Sequence, residues 1–143
     1  MKIIVAAFAL TLLFCTVRAQ DCGCVELTAE EITRQGYSEL IVFKEKKAFQ
    51  TIRGVAISGF GGNPLEDVFV EVFAYDKKEG KSKRVAGCRT RADGKFCFPN
   101  LARGRYTIRF SKAGGFKITE VLIKVLPESK RTDEIKAVVE VGT

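Results

Sequence analysis

The amino-acid sequence predicts an all-β protein, a sandwich of about seven short strands behind an N-terminal extension. Three observations carry this. From Thr51 onward, runs rich in Val, Ile, Phe and Tyr alternate with turn-forming clusters. The strongest run, "DVFVEVFAY", sets Val68, Val70, Val72 and Ala74 on one side and Phe69, Glu71, Phe73 and Tyr75 on the other, which is the two-residue period of a strand. Gly, Pro, Asn and Asp punctuate the runs, above all in "GFGGNP" and at Asp93-Gly94.

Residues 1–19 come first. Lys2 gives a positive start, Ile3 to Phe14 is apolar apart from Thr11, and Val17-Arg18-Ala19 offers the small residues a signal peptidase reads. This is the pattern of a secretory signal peptide cut after Ala19, so the chain is expected to be secreted or periplasmic; an uncleaved anchor is the alternative. No later run is long and apolar enough to cross a membrane. Cleavage leaves 124 of the 143 residues, and losing Lys2 and Arg18 takes the formal charge from +7 to +5. That is one domain with room for a core. A mildly basic balance favours anionic partners such as acidic glycans. The long cationic arm of a nucleic-acid binder is missing, which argues against that partner.

Residues 20–50 form the extension. "LTAEEITRQGYSEL" is compatible with a helix, with Thr28 and Glu31 at capping-box spacing and Gly36 ending it. "ELIVFK" reads as a strand, apolar on both faces from Leu40 to Phe43, so both sides are expected to be covered.

The sandwich spans residues 51–143. "TIRGVAIS" opens it, and the glycine-rich turn leads into "DVFVEVFAY". "DKKEGKSKR" reads as a charged loop. "VAGCRT" and "KFCFPNL" flank the Asp93-Gly94 reversal, where glycine supplies a positive φ. "YTIRF" puts Tyr106, Ile108 and Phe110 on one side, and "FKITEVLIKVL" and "EIKAVVEV" complete the set.

Gly54, Pro64-Leu65, Val68-x-Val70, Thr90, Asp93-Gly94, Phe96-x-Phe98, Asn100-Leu101, Gly104 and Tyr106, in this order and spacing, resemble a carboxypeptidase regulatory-like domain over roughly residues 51–141. The resemblance implies a transthyretin-like, or prealbumin-like, Greek-key β-sandwich of carbohydrate-binding-like fold. It implies a structural, regulatory or binding role and no particular activity. The extension and its Cys-x-Cys depart from the family's ordinary pattern.

Catalytic chemistry is largely excluded. The chain has no histidine, which removes Ser-His and Cys-His nucleophiles and His-ligated zinc. Glu30-Glu31 and Glu66-Asp67 read as solvated pairs, and "SGFGGNP" lacks the spacing and lysine of a phosphate loop. The expectation is no enzyme, no cofactor and no metal.

With Cys15 in the signal segment, four cysteines remain: Cys22, Cys24, Cys88 and Cys97. An even count in a secreted domain reads as two disulfides. With Phe96 and Phe98 inward, Cys97 points outward. If Arg91–Gly94 is a hairpin loop, residues 90–95, 89–96 and 88–97 pair and Cys88 lies opposite Cys97 on the outer face. A Cys88–Cys97 bridge would leave Cys22 and Cys24 to bond across one residue, a strained arrangement. Tying the Cys-x-Cys to the two hairpin cysteines is preferred, since each long loop closed restricts the unfolded chain by roughly 4 kcal/mol.

Two surfaces are candidates for binding. If the valines of "DVFVEVFAY" face the core, Phe69, Phe73 and Tyr75 form an outward aromatic row, suited to sugar rings or a protein, unless the extension's "LIVF" strand covers it. Lys77, Lys78, Lys81, Lys83 and Arg84 form a candidate anion-binding loop. The expected function is a non-catalytic module binding extracellular glycan or protein, or a scaffold; the alternative is a transthyretin-like oligomeric carrier of a small apolar ligand.

Overall fold

The computed structural model describes residues 23–26, 40–44, 48–132 and 134–141. The expected signal peptide, residues 1–19, the helix-compatible stretch and Cys22 lie outside the described residues.

The described chain is all β. β1 (Val25–Glu26), β2 (Leu40–Lys44), β3 (Ile52–Ser58), β4 (Phe69–Asp76), β5 (Lys81–Arg89), β6 (Lys95–Phe98), β7 (Gly104–Ser111), β8 (Ile118–Val125) and β9 (Ile135–Val139) follow in order. They form a six-stranded sheet, β1-β5-β4-β7-β8-β2, and a three-stranded sheet, β6-β3-β9. The seven strands β3 to β9 are those expected of the sandwich, and from β3 onward the chain changes sheet four times. Pairing is antiparallel except for β3 with β9 and β2 with β8.

The core lies between the sheets. Val70, Val72, Ile108, Phe110, Val121 and Ile123 enter it from the larger sheet, Val68 from the loop before β4, and Ile52, Ala56, Phe96, Phe98, Ala137 and Val139 from the smaller. Phe96 meets Phe110 edge-to-face at 5.2 Å between centroids, an arrangement aromatic quadrupoles favour. Gly54 is fully enclosed by it: a Cβ there would sit 2.0 Å from the Ile135 carbonyl oxygen and 2.8 Å from the Phe96 ring. Glycine therefore lets the parallel β3–β9 pair close under Phe96.

Three expectations are corrected. First, the hairpin around Asp93-Gly94 does not form. β5 stays beside β4 while β6 pairs with β3, so the Arg91–Gly94 turn carries the chain from one sheet to the other. Gly94 has φ +68°; its amide closes the turn on the Arg91 carbonyl at 2.9 Å, and its own carbonyl accepts from the Ala56 amide at 2.8 Å, which docks the turn on β3. Phe96 and Phe98 do face inward, with Cys97 between them on the outer side. Cys88, however, is paired with Val70 and fully buried, so it points into the core and not outward.

Second, "ELIVFK" is a strand but is not covered on both faces. It joins β8 in parallel as the sheet's edge, and Val42 is 54% exposed. Third, the charged loop is shorter than its composition suggests. Lys81 to Arg84 belong to β5, leaving Lys77–Gly80 as the turn, where the Asp76 carboxylate accepts from the Lys78 amide at 2.8 Å. The lysines stay solvated on an outer strand, where charge discourages pairing with another chain.

Candidate binding face

The outer face of the six-stranded sheet is set by alternation. Because Val70, Val72, Ile108, Phe110, Val121 and Ile123 point inward, Phe69, Glu71, Phe73 and Tyr75 of β4 point outward. So do Arg105, Thr107 and Arg109 of β7, and Glu120, Leu122 and Lys124 of β8. The expected aromatic row is therefore on the outer face. The "LIVF" strand does not lie across it but extends the sheet beside β8.

The three aromatics differ. Glu71 stands opposite Arg109, and Arg109 opposite Glu120. Arg109 donates through Nε and Nη2 to one Glu120 oxygen at 3.0 and 2.9 Å, and its guanidinium lies 4.8 Å from the Phe73 ring centroid. Glu71 also meets Arg84 at 3.7 Å. Phe73 is thus half-buried beneath an arginine held by the Glu120 carboxylate, and Phe69 is half-buried too. Tyr75 is 60% exposed and presents an open ring.

Arg84 reaches Glu71 because of a bulge. The β4–β5 register shifts between Val72 and Phe73, and the Arg84 guanidinium lies over Gly87, where an added Cβ would approach it to 2.5 Å. Of the proposed anion-binding loop, Arg84 is thereby committed to an ion pair, while Lys77, Lys78, Lys81 and Lys83 are exposed. The structure does not bring Arg84 and the four lysines into one convergent group.

It does assemble a basic row that the sequence reading missed. Arg105 stands directly opposite Lys124, both exposed and both outward. One step past the Ala74–Tyr106 pair, the same register sets Tyr75 beside Arg105. Lys44, opposite Leu122, adds a third exposed cation at the β2 edge. Neither Arg105 nor Lys124 has an ion-pair partner among the described residues. Like charges opposed on adjacent strands repel one another, and an anion between them would relieve that. Alternation in "GRYTIRF" and "EVLIKVL" already sets these cations on outward faces; only the β7–β8 register shows that they meet.

The cysteines occupy the β1 side of the same sheet. Cys24 and Cys88 are fully buried free thiols in hydrogen-bond contact. That bond from Cys88 outweighs burial and holds the Cys24 thiol down at about 7, while the shared bond and burial push the Cys88 thiol up. Cys97 is half-buried and is not among the free thiols.

No helix among the described residues is long and apolar enough to cross a membrane. No group of three or more His, Cys, Asp or Glu among them could hold a metal ion.

No family model matches the chain, and no curated protein matches it. Solved structures similar to it include transthyretin from Sparus aurata, at 16% identity over 63% of this chain and 86% of that one, with a TM-score of 0.48. Sea bream transthyretin in complex with thyroxine is similar at 17% identity, over 63% and 85% of the two chains, with a TM-score of 0.47. A 3-chlorocatechol 1,2-dioxygenase from Rhodococcus opacus 1CP is similar at 14% identity, over 89% and 75%, with a TM-score of 0.40. Transthyretin β-sandwiches are thus among the structures this chain is similar to.

Proposed function

We propose that the chain is a secreted, non-catalytic binding module of carboxypeptidase regulatory-like type, and that the outer face of its six-stranded sheet recognises an acidic glycan. The signal-like residues 1–19 and the even count of four cysteines after them support an extracellular setting. One observation carries the ligand class: Arg105 and Lys124 oppose each other with no carboxylate between them, beside the open Tyr75 ring. Two cations next to an aromatic platform complement a sugar that bears carboxylate or sulfate. The ring stacks on Tyr75 while Arg105 holds the anion through its planar fork. The two ion pairs behind it, Arg84–Glu71 and Arg109–Glu120, are already neutralised and form its floor.

Chromatography on immobilised heparin tests this. R105S/K124S and K81S/K83S remove the same charge from different places. The first is expected to elute at clearly lower salt than the second, and Y75A to lower the elution salt without changing charge. If the two double variants elute together, charge alone explains retention and the site is lost. If K81S/K83S weakens retention more, the hairpin tip is the site and the assignment to the sheet face is wrong.

A further inference from the structure

β1 has too little of its own to hold it. It contributes two residues, pairing Val25 with Arg89 and Glu26 with Cys88, at the edge of the larger sheet. A strand this short makes few ladder bonds and buries little surface, so its place on β5 needs another cause. The residue before it supplies one. Cys24 is fully buried on the core-facing side, diagonal to Cys88 across the β1–β5 pair, and the two thiols share a hydrogen bond. Cys88 sits in turn beside the buried Val70.

We infer that Cys24 and Cys88 are joined by a disulfide in the mature protein, and that this bond is the latch that holds β1 on β5. The neighbourhood allows little else for the pair. Both sulfurs are enclosed, so neither can serve an external substrate. Two buried thiols that share a hydrogen bond on the same face of adjacent strands are placed for a bridge once their sulfurs approach to bonding distance.

The step is thiol–disulfide exchange with a donor disulfide of the protein or glutathione class, as an oxidising compartment supplies. Cys24 thiolate attacks one donor sulfur, breaking the donor S–S bond and forming a mixed disulfide. Cys88, deprotonated, then attacks the Cys24 sulfur. The Cys24–Cys88 bond forms and the bond to the donor breaks, so that the donor ends fully reduced, as a dithiol if it is a protein or as two thiols if it is glutathione disulfide. The protein gives up two electrons and two protons, and the donor takes them. Both cysteines are buried once β1 is seated, so exchange precedes seating. Cys22 and Cys97, the second on the outer side of β6, then remain for the other bridge.

The assignment keeps the preferred tie of the Cys-x-Cys to Cys88 and Cys97 and selects one partner for Cys88. It stands whether or not the outer face binds a glycan. Cys22 and Cys24 fall in one tryptic peptide, so mapping the unaltered chain alone does not separate them. The test therefore uses the full chain and the C22S/C97S variant, both folded under oxidising conditions. The variant is expected to lose two hydrogens by intact mass and to resist alkylation until reduced. Its non-reduced digest should join the Cys24 peptide to Val85–Arg89. In the unaltered chain, reduction is expected to speed amide exchange in β1 and at Cys88–Arg89 at least about tenfold, leaving the β7–β8 amides unchanged. A Cys88–Cys97 peptide in the unaltered chain overturns the inference. So do two alkylatable thiols at Cys24 and Cys88 in the oxidised variant, and so does β1 exchange that is indifferent to reductant.

Discussion

The Thr90 hydroxyl donates to the Leu65 carbonyl at 2.7 Å while accepting from the Val68 amide at 3.0 Å. Thr90 is 1% exposed and closes β5, whereas Leu65 and Val68 belong to the loop that leads into β4. Backbone bonds reinforce the clamp, from the Asp67 amide to the Thr90 carbonyl at 2.9 Å and from the Thr90 amide to the Val68 carbonyl at 3.0 Å. One small side chain thereby fixes a turn in which Asp67 takes a φ of +59°. Replacing the hydroxyl with a methyl, Thr90→Val, keeps the volume and strands a buried donor and acceptor. The expected loss is about 2–4 kcal/mol in urea denaturation, with Thr90→Ser recovering most of it.

Gly54 predicts a larger effect from a smaller change. Its φ is unremarkable, but the Ile135 carbonyl oxygen occupies the space where a Cβ would go. Gly54→Ala should separate β3 from β9 and cost about 3 kcal/mol or more, read as a lowered denaturation midpoint. Gly62, whose added Cβ meets nothing within 4 Å but which sits at φ +67°, provides the contrast. There the strain is in the backbone alone, and Gly62→Ala should cost only about 1 kcal/mol.

Tyr106 predicts a pH dependence. Its phenol donates to the Ala102 carbonyl, and burial pushes its ionisation above the usual tyrosine range. The folded state thus favours the protonated phenol more than the unfolded chain does. Its contribution is intact below the unfolded tyrosine pKa, about 10, and is lost as pH rises through the folded value. Tyr106→Phe should cost about 1 kcal/mol at neutral pH. The gap between the two proteins, measured by denaturant midpoint from about pH 8 to about pH 11, should narrow toward the alkaline end.

Phe73 and Tyr75 should separate stability from recognition. Arg109 lies on Phe73, and a double-mutant cycle of Phe73→Leu with Arg109→Met should show a coupling of about 0.5–1 kcal/mol. Tyr75 is mostly exposed, so Tyr75→Ala should move stability by no more than about 0.5 kcal/mol while reducing retention on heparin.

How much of this was legible in the sequence depends on whether a feature is local. The strands from Ile52 to Val139, the inward valines of β4 and the inward Phe96 and Phe98 follow from alternation, which is a property of each segment alone. The partner of β6 does not. Asp93-Gly94 favours reversal either on itself or across to the other sheet, and the docking of Gly94 on Ala56 decides between them. That choice turned Cys88 from the surface to the core. Lys81 and Lys83 looked like loop because charge dominates there, although an outer strand tolerates it. The Arg105–Lys124 pair was missed for the same reason as the cysteine contact: both join segments through register, and register is not written in either segment by itself.

The position of β3 between β6 and β9 has a consequence for how the chain is made. β3 is the first strand of the sandwich to leave the ribosome, yet its neighbours are a strand beyond the β5 turn and the last strand of all. Until Ile135–Val139 emerges, one side of β3 has no ladder to join. The larger sheet can assemble early from its β4–β5 and β7–β8 hairpins, while the smaller one waits for a contact of high sequence separation. Its unpaired edge is then the part of the nascent protein most open to wrong partners, and the last strand is the one that removes the hazard.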